Sequence, residues 1–140
     1  DMIIGPATNG MRDVQLRVTL DHKGSPQDDP FYQGFQRWWI DVTLPEGSQR
    51  IGSDIPAVSN PDEPNGGSYV VPLASGTDAT FTVEFRMPDT SLLLLRRQAG
   101  LTAAKVTVDT PQCPSAPLIE TLNTDLVVSL SSTCALVTPE

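Results

Sequence analysis

Apolar and polar residues alternate with a period of two along most of the chain, the signature of half-buried β-strands. Val14, Leu16, Val18 and Leu20 share one face with Gln15, Arg17 and Thr19 opposite, and the run stops at the turn Asp21-His22-Lys23-Gly24. Trp38, Ile40, Val42 and Leu44 repeat the pattern as far as Pro45-Glu46-Gly47. Phe81, Val83, Phe85 and Met87 alternate with Thr80, Thr82, Glu84 and Arg86. Weaker strands are expected from Tyr69 to Leu73, Ser91 to Arg97, Ala104 to Asp109 and Asp125 to Leu130, with short ones from Leu118 to Leu122 and Ala135 to Val137.

The connections carry turn chemistry, as in Asn65-Gly66-Gly67, Ala74-Ser75-Gly76, Pro88-Asp89-Thr90 and Gln98-Ala99-Gly100. Seven to nine short strands with frequent turns predict an all-β fold, an immunoglobulin-like antiparallel β-sandwich. With 140 residues, the chain has the size of one domain. Residues 1–12, with Gly5-Pro6 and Asn9-Gly10, read as a lead-in segment, and 13–140 as a single β-sandwich domain. Two loops are long for such a fold, Gly24 to Gln33 with Asp28-Asp29 and Glu46 to Ser68 with Asp62-Glu63. Long loops on a rigid scaffold are where binding residues concentrate.

Composition narrows the partners. Thirteen prolines and ten glycines disfavour long helices. The net charge of −8 argues against nucleic acid and against an anionic membrane surface, because phosphate binding needs clustered Lys and Arg. The longest apolar run, Leu92-Leu93-Leu94-Leu95, is far too short to cross a bilayer, so no membrane insertion of this segment is expected. Beginning at Asp1 with no basic and apolar leader, the chain reads as a mature or excised piece. Cys113 and Cys134 lie in polar, Pro- or Ser-rich surroundings, where a buried apolar thiol would be unusual. They are expected to form a disulfide, which implies an oxidising, extracytoplasmic location at a cell surface or in secretion; two unrelated free thiols are the alternative.

The order of motifs carries a resemblance. An alternating strand from Asp13 to Leu20 precedes Gln36-Arg37-Trp38-Trp39-Ile40-Asp41-Val42-Thr43-Leu44-Pro45-Glu46-Gly47-Ser48. A Gly-centred turn then opens a strand ended by proline (Gly76 to Pro88), and Leu94-Leu95-Arg96-Arg97-Gln98-Ala99-Gly100-Leu101 precedes a further strand. On these residues the chain is similar to the C-terminal β-rich region of a family of large Gram-positive cell-envelope proteins, a domain of unknown function. The family's expected Gln-Pro-Gly turn is replaced here by Gln98-Ala99-Gly100, and the strand before it lacks a tyrosine. The resemblance implies an envelope location, an anchor outside this segment and neighbouring domains as partners, and it carries no catalytic residues.

Catalytic chemistry finds little support in the residue types. The sole histidine, His22, belongs to a polar turn without a nucleophile motif and reads as a solvated turn residue. Two cysteines and one histidine fall short of a zinc site. Asp28-Asp29, Asp54 and Asp62-Glu63 offer carboxylates for a secreted hydrolase or for loop-bound calcium, but without EF-hand spacing. Lysine cross-linking through Lys23 or Lys105 is disfavoured, since Lys105 is out of phase with Ala104, Val106 and Val108 and should face outward. The expectation is a non-enzymatic protein without a cofactor.

The aromatic run Phe31-Tyr32-Gln33-Gly34-Phe35-Gln36-Arg37-Trp38-Trp39 carries the best functional signal. Successive strand side chains point to opposite faces, so adjacent tryptophans cannot share one core. Parity sends Trp38 inward with Ile40, Val42 and Leu44, and sends Phe35, Arg37 and Trp39 outward with Asp41 and Thr43. Trp39, Phe35 and Arg37 are therefore the candidate binding residues, for a neighbouring domain, a protein or a glycan. A crossing loop that covers Trp39 as satellite core is the competing reading. The functional expectation is a structural or adhesive, protein-interaction module, with a carbohydrate-binding module and a hydrolase using loop carboxylates as alternatives.

Overall fold

A computed structural model describes residues 1–23, 36–58, 66–96, 104–110, 118–130 and 136–137. Among them there is no helix and 69% are strand, in sheets that do not close, so the fold is all-β. The strands among the described residues are β1 (Met2–Ile4), β2 (Met11–Asp21), β3 (Gln36–Thr43), β4 (Gln49–Ser53), β5 (Gly66–Leu73) and β6 (Asp78–Pro88), followed by β7 (Leu92–Leu95), β8 (Ala104–Asp109), β9 (Leu118–Leu122), β10 (Leu126–Ser129) and β11 (Leu136–Val137). The chain divides into two compact units, Leu16–Met87 and Asp1–Gln15 with Pro88–Glu140.

In the unit Leu16–Met87, β3 and β5 form an antiparallel ladder from Gln36↔Leu73 to Thr43↔Gly66. The strands β4, β6 and β2 form a second layer in that order. Alternation decides which faces meet. On β6, Phe81, Val83, Phe85 and Met87 are almost inaccessible while Thr80, Glu84 and Arg86 are exposed. On β5, Tyr69, Val71 and Leu73 are buried, and Ile40 of β3 joins them. The Tyr69 and Phe81 rings, with centroids 5.3 Å apart, bring the two layers together. Each such fully buried apolar side chain contributes roughly 1.5–3 kcal/mol.

Two tight turns carry the chain between these layers. After β3, Ser48 N donates to Pro45 O at 3.1 Å across Gly47, whose φ of 78° an L side chain rarely adopts. After β5, Thr77 N and Oγ1 both donate to Ala74 O, and Gly76 N donates to His22 O while His22 N donates to Thr77 O. These bonds hold the end of β2 against the 74–77 turn. His22 is therefore half-buried, and its ring meets the edge of Trp38 at 6.2 Å, which corrects its reading as a solvated turn residue. The strand β4, absent from the sequence expectation, pairs with β6 through a bulge between Arg50 and Gly52. Beyond it, Asp54 N donates to Thr82 O and Thr82 N donates back to Asp54 Oδ1.

In the other unit the strand order is β2, β1, β8, β9. The stretch read as a lead-in segment holds β1, whose Ile4 is wholly buried and which pairs in parallel with β8. A two-residue hairpin leads from it into β2: Thr8 and Met11 exchange both backbone hydrogen bonds, and Asn9 and Gly10 take φ values of 53° and 73°. Strand β9 pairs antiparallel with β8, and β10 pairs with β7 and β11 in a separate three-stranded sheet. Lys105 faces outward on β8. Within this unit Met2, Ile4, Val14, Leu93, Val108, Val128 and Leu130 are buried.

Candidate functional site

The outer face of the β3–β5 ladder holds the candidate site. Ile40 is buried, and Trp38 and Val42 are half-buried on one side, while Arg37, Trp39, Asp41 and Thr43 are exposed on the other. Trp39 is 61% exposed, so among the described residues no segment covers it. Exposure of this size is unusual for the largest aromatic side chain, which normally gains more from burial than any other.

The ladder register defines the surroundings of the indole. Val70 is directly opposite Trp39, Pro72 opposite Arg37 and Ser68 opposite Asp41. Directly opposed residues share a face with their Cβ atoms about 5 Å apart, so an apolar centre of Trp39, Val70 and Pro72 is flanked by a cation at one end and a carboxylate at the other. Ser68 Oγ donates to Asp41 Oδ1, which fixes the acidic end. An indole face accepts apolar C–H surface or a cation by stacking, and the flanking Arg37 and Asp41 supply a donor and an acceptor beside it.

Trp38 supports this face from beneath. Its half-buried ring meets His22 edge to face, and its Nε1 is buried with no hydrogen-bond partner among the described residues. Phe35, the third expected binding residue, lies outside the described residues, as do Cys113, Cys134, Asp28, Asp29, Asp62 and Glu63. Asp54 is engaged with the Thr82 backbone. Among the described residues no group of three or more His, Cys, Asp or Glu is placed to hold a metal ion, and no helix is long and apolar enough to cross a membrane.

Two polar features escaped the sequence reading. Arg12, buried on β2, donates from Nε to Asp89 Oδ1 at 2.6 Å and from Nη1 to Gly5 O at 3.3 Å. Arg50 of β4 points between the two layers of its unit, toward Tyr69 and Gly67. Comparison with protein-family models, curated proteins and solved structures finds no match.

Proposed function

We propose that the chain is a non-enzymatic, extracytoplasmic module of immunoglobulin-like β-sandwich type, part of a larger cell-envelope or secreted protein, with a structural or adhesive role. Trp39 is its contact residue, and Arg37 orients the partner. The carrying observation is an indole 61% exposed at the centre of a regular two-stranded ladder, where a rigid backbone presents it without further ordering. The paired polar residues Asp41 and Ser68 beside it favour a partner with hydrogen-bonding edges. The envelope location rests on the sequence resemblance and on the expected Cys113–Cys134 bridge.

The test is co-sedimentation with purified Gram-positive cell walls. The unaltered chain is expected to sediment with the walls and Trp39→Ala to remain in solution, both with the same melting midpoint. Equal sedimentation of the two proteins, or none by either, removes the Trp39 face as the contact.

The polar groups flanking the indole also favour a carbohydrate-binding module, since sugars are held by stacking on an aromatic face with hydrogen bonds at the ring edge. This reading predicts saturable binding on a glycan array, with a change in tryptophan fluorescence that Trp39→Ala abolishes. Contact through a protein neighbour alone leaves the array blank.

A further inference from the structure

In the unit Leu16–Met87, the polar atoms Arg50 Nη1, Tyr69 OH and Ser48 Oγ are buried with no hydrogen-bond partner among the described residues. Two of them converge. Arg50 extends from β4 in one layer and Tyr69 from β5 in the other. A Cβ placed on Gly67 would lie 3.0 Å from Arg50 Nη1 and 3.2 Å from Tyr69 OH. Ser48, on the turn that leads into β4, is the third buried donor of this unit. Tyr69 is wholly inaccessible and Ser48 nearly so.

All three groups can donate a hydrogen bond, and a guanidinium can do nothing else. Neither the Arg12–Asp89 nor the Lys23–Asp21 ion pair involves Arg50. Buried polar groups in folded proteins are almost always hydrogen-bonded, and a partly buried cation calls for an acceptor that also carries negative charge. An Arg beside a phenol hydroxyl matches the oxygens of a carboxylate or a similar small oxyanion. A side chain at Gly67 would press on both donors.

From this arrangement we infer that Arg50 and Tyr69 form an interlayer receptor for one small oxyanion, of which a carboxylate is the simplest. The site is on the inner side of the β3–β5 ladder, opposite the Trp39 face, and stands independently of the function proposed for that face. Bound oxyanion joins β4 to β5 through its two oxygens, so occupancy strengthens the packing of one layer on the other.

The test is titration of the isotope-labelled chain with sodium acetate, and separately with inorganic phosphate, at ionic strength held constant with chloride. The Gly67 amide is the expected reporter, with a saturable single-site shift and a parallel rise in melting midpoint. Arg50→Met should weaken the affinity by about ten-fold or more, as expected for one lost charge-assisted hydrogen bond. Tyr69→Phe should weaken it less, and Gly67→Ala should abolish it. Saturation by phosphate in place of acetate, lost in Arg50→Met, supports the same donors with a larger oxyanion. Absence of any saturable Gly67 response in the unaltered chain overturns the inference without reference to the variants. So does a response that Arg50→Met leaves unchanged. Water alone at the site gives the first of these two results.

Discussion

Asp89 accepts a hydrogen bond from Arg12 Nε at 2.6 Å, with the Arg12 side chain 7% exposed and that of Asp89 41% exposed. The backbone reinforces the pair, because Asp89 N donates to Gly10 O while Arg12 Nη1 reaches Gly5 O. One guanidinium thus ties the 88–90 turn to the first hairpin. Removing the carboxylate leaves a buried cation without its anion, whereas an amide keeps an acceptor oxygen in place. Asp89→Ala is expected to cost about 1–3 kcal/mol, less than a fully buried pair because water reaches Asp89. Asp89→Asn should cost less than Asp89→Ala, and urea unfolding of the two variants measures the order.

Glycine is required where β3 and β5 part. A Cβ on Gly66 would overlap the Val42 carbonyl oxygen, a backbone atom that cannot swing aside, and the φ of 155° adds strain. Gly52, in the bulged strand, has nothing within 4 Å of the same position. Gly66→Ala should therefore destabilise by more than about 2 kcal/mol, as overpacking against fixed backbone does. Gly52→Ala should change stability by less than about 0.5 kcal/mol. Thermal melts of the pair separate a steric demand from the general entropic cost of removing glycine.

The strands that sequence made legible are those with several alternating apolar residues, such as β6, where four large side chains repeat at every second position. Two strands without that redundancy were not legible. Met2–Ile4 is too short for alternation to register, although Asn9-Gly10 is the residue pair that a two-residue hairpin demands and points to strands on either side. In Gln49–Ser53 hydropathy alone would bury Ile51 and expose Arg50, but the ladder sets the reverse: Arg50 pairs with Phe85 on the buried face of β6 and is directed inward, and Ile51, the residue at the bulge, is 56% exposed. That reversal hid the interlayer polar cluster. The outward turn of Trp39 was legible because Ile40, Val42 and Leu44 fix the phase of β3 with no bulge in the ladder. Its partners Val70 and Ser68 were not, since cross-strand register is a long-range property.

Cys113 and Cys134 are expected to be bridged on sequence grounds, and the bond would close a loop of about twenty residues. In the chain-entropy account such a loop is worth roughly 3 kcal/mol. Intact mass should rise by about 2 Da on reduction under denaturing conditions, one hydrogen for each sulfur. The reduced chain should then melt at a lower temperature than the oxidised one. An unchanged mass assigns two free thiols and removes one of the two supports for an oxidising compartment.

Trp38 and Trp39 are neighbours in sequence with opposite environments, and they should respond oppositely to truncation. The Trp38 ring is half-buried against His22, beneath a ladder whose inner face carries Ile40 and Tyr69, so Trp38→Ala removes packing and leaves a void. A loss of about 1–3 kcal/mol is expected, below that of a fully buried aromatic. The Trp39 ring is mostly in water already, so Trp39→Ala should alter stability by less than about 0.5 kcal/mol. Fluorescence gives an independent reading. The Trp39→Ala protein, which keeps Trp38, should emit at shorter wavelength and resist acrylamide quenching, while the Trp38→Ala protein should emit as a solvated indole. Equal quenching of the two single-tryptophan proteins, or a large stability loss in Trp39→Ala, would place Trp39 under a covering segment and remove it as the contact surface.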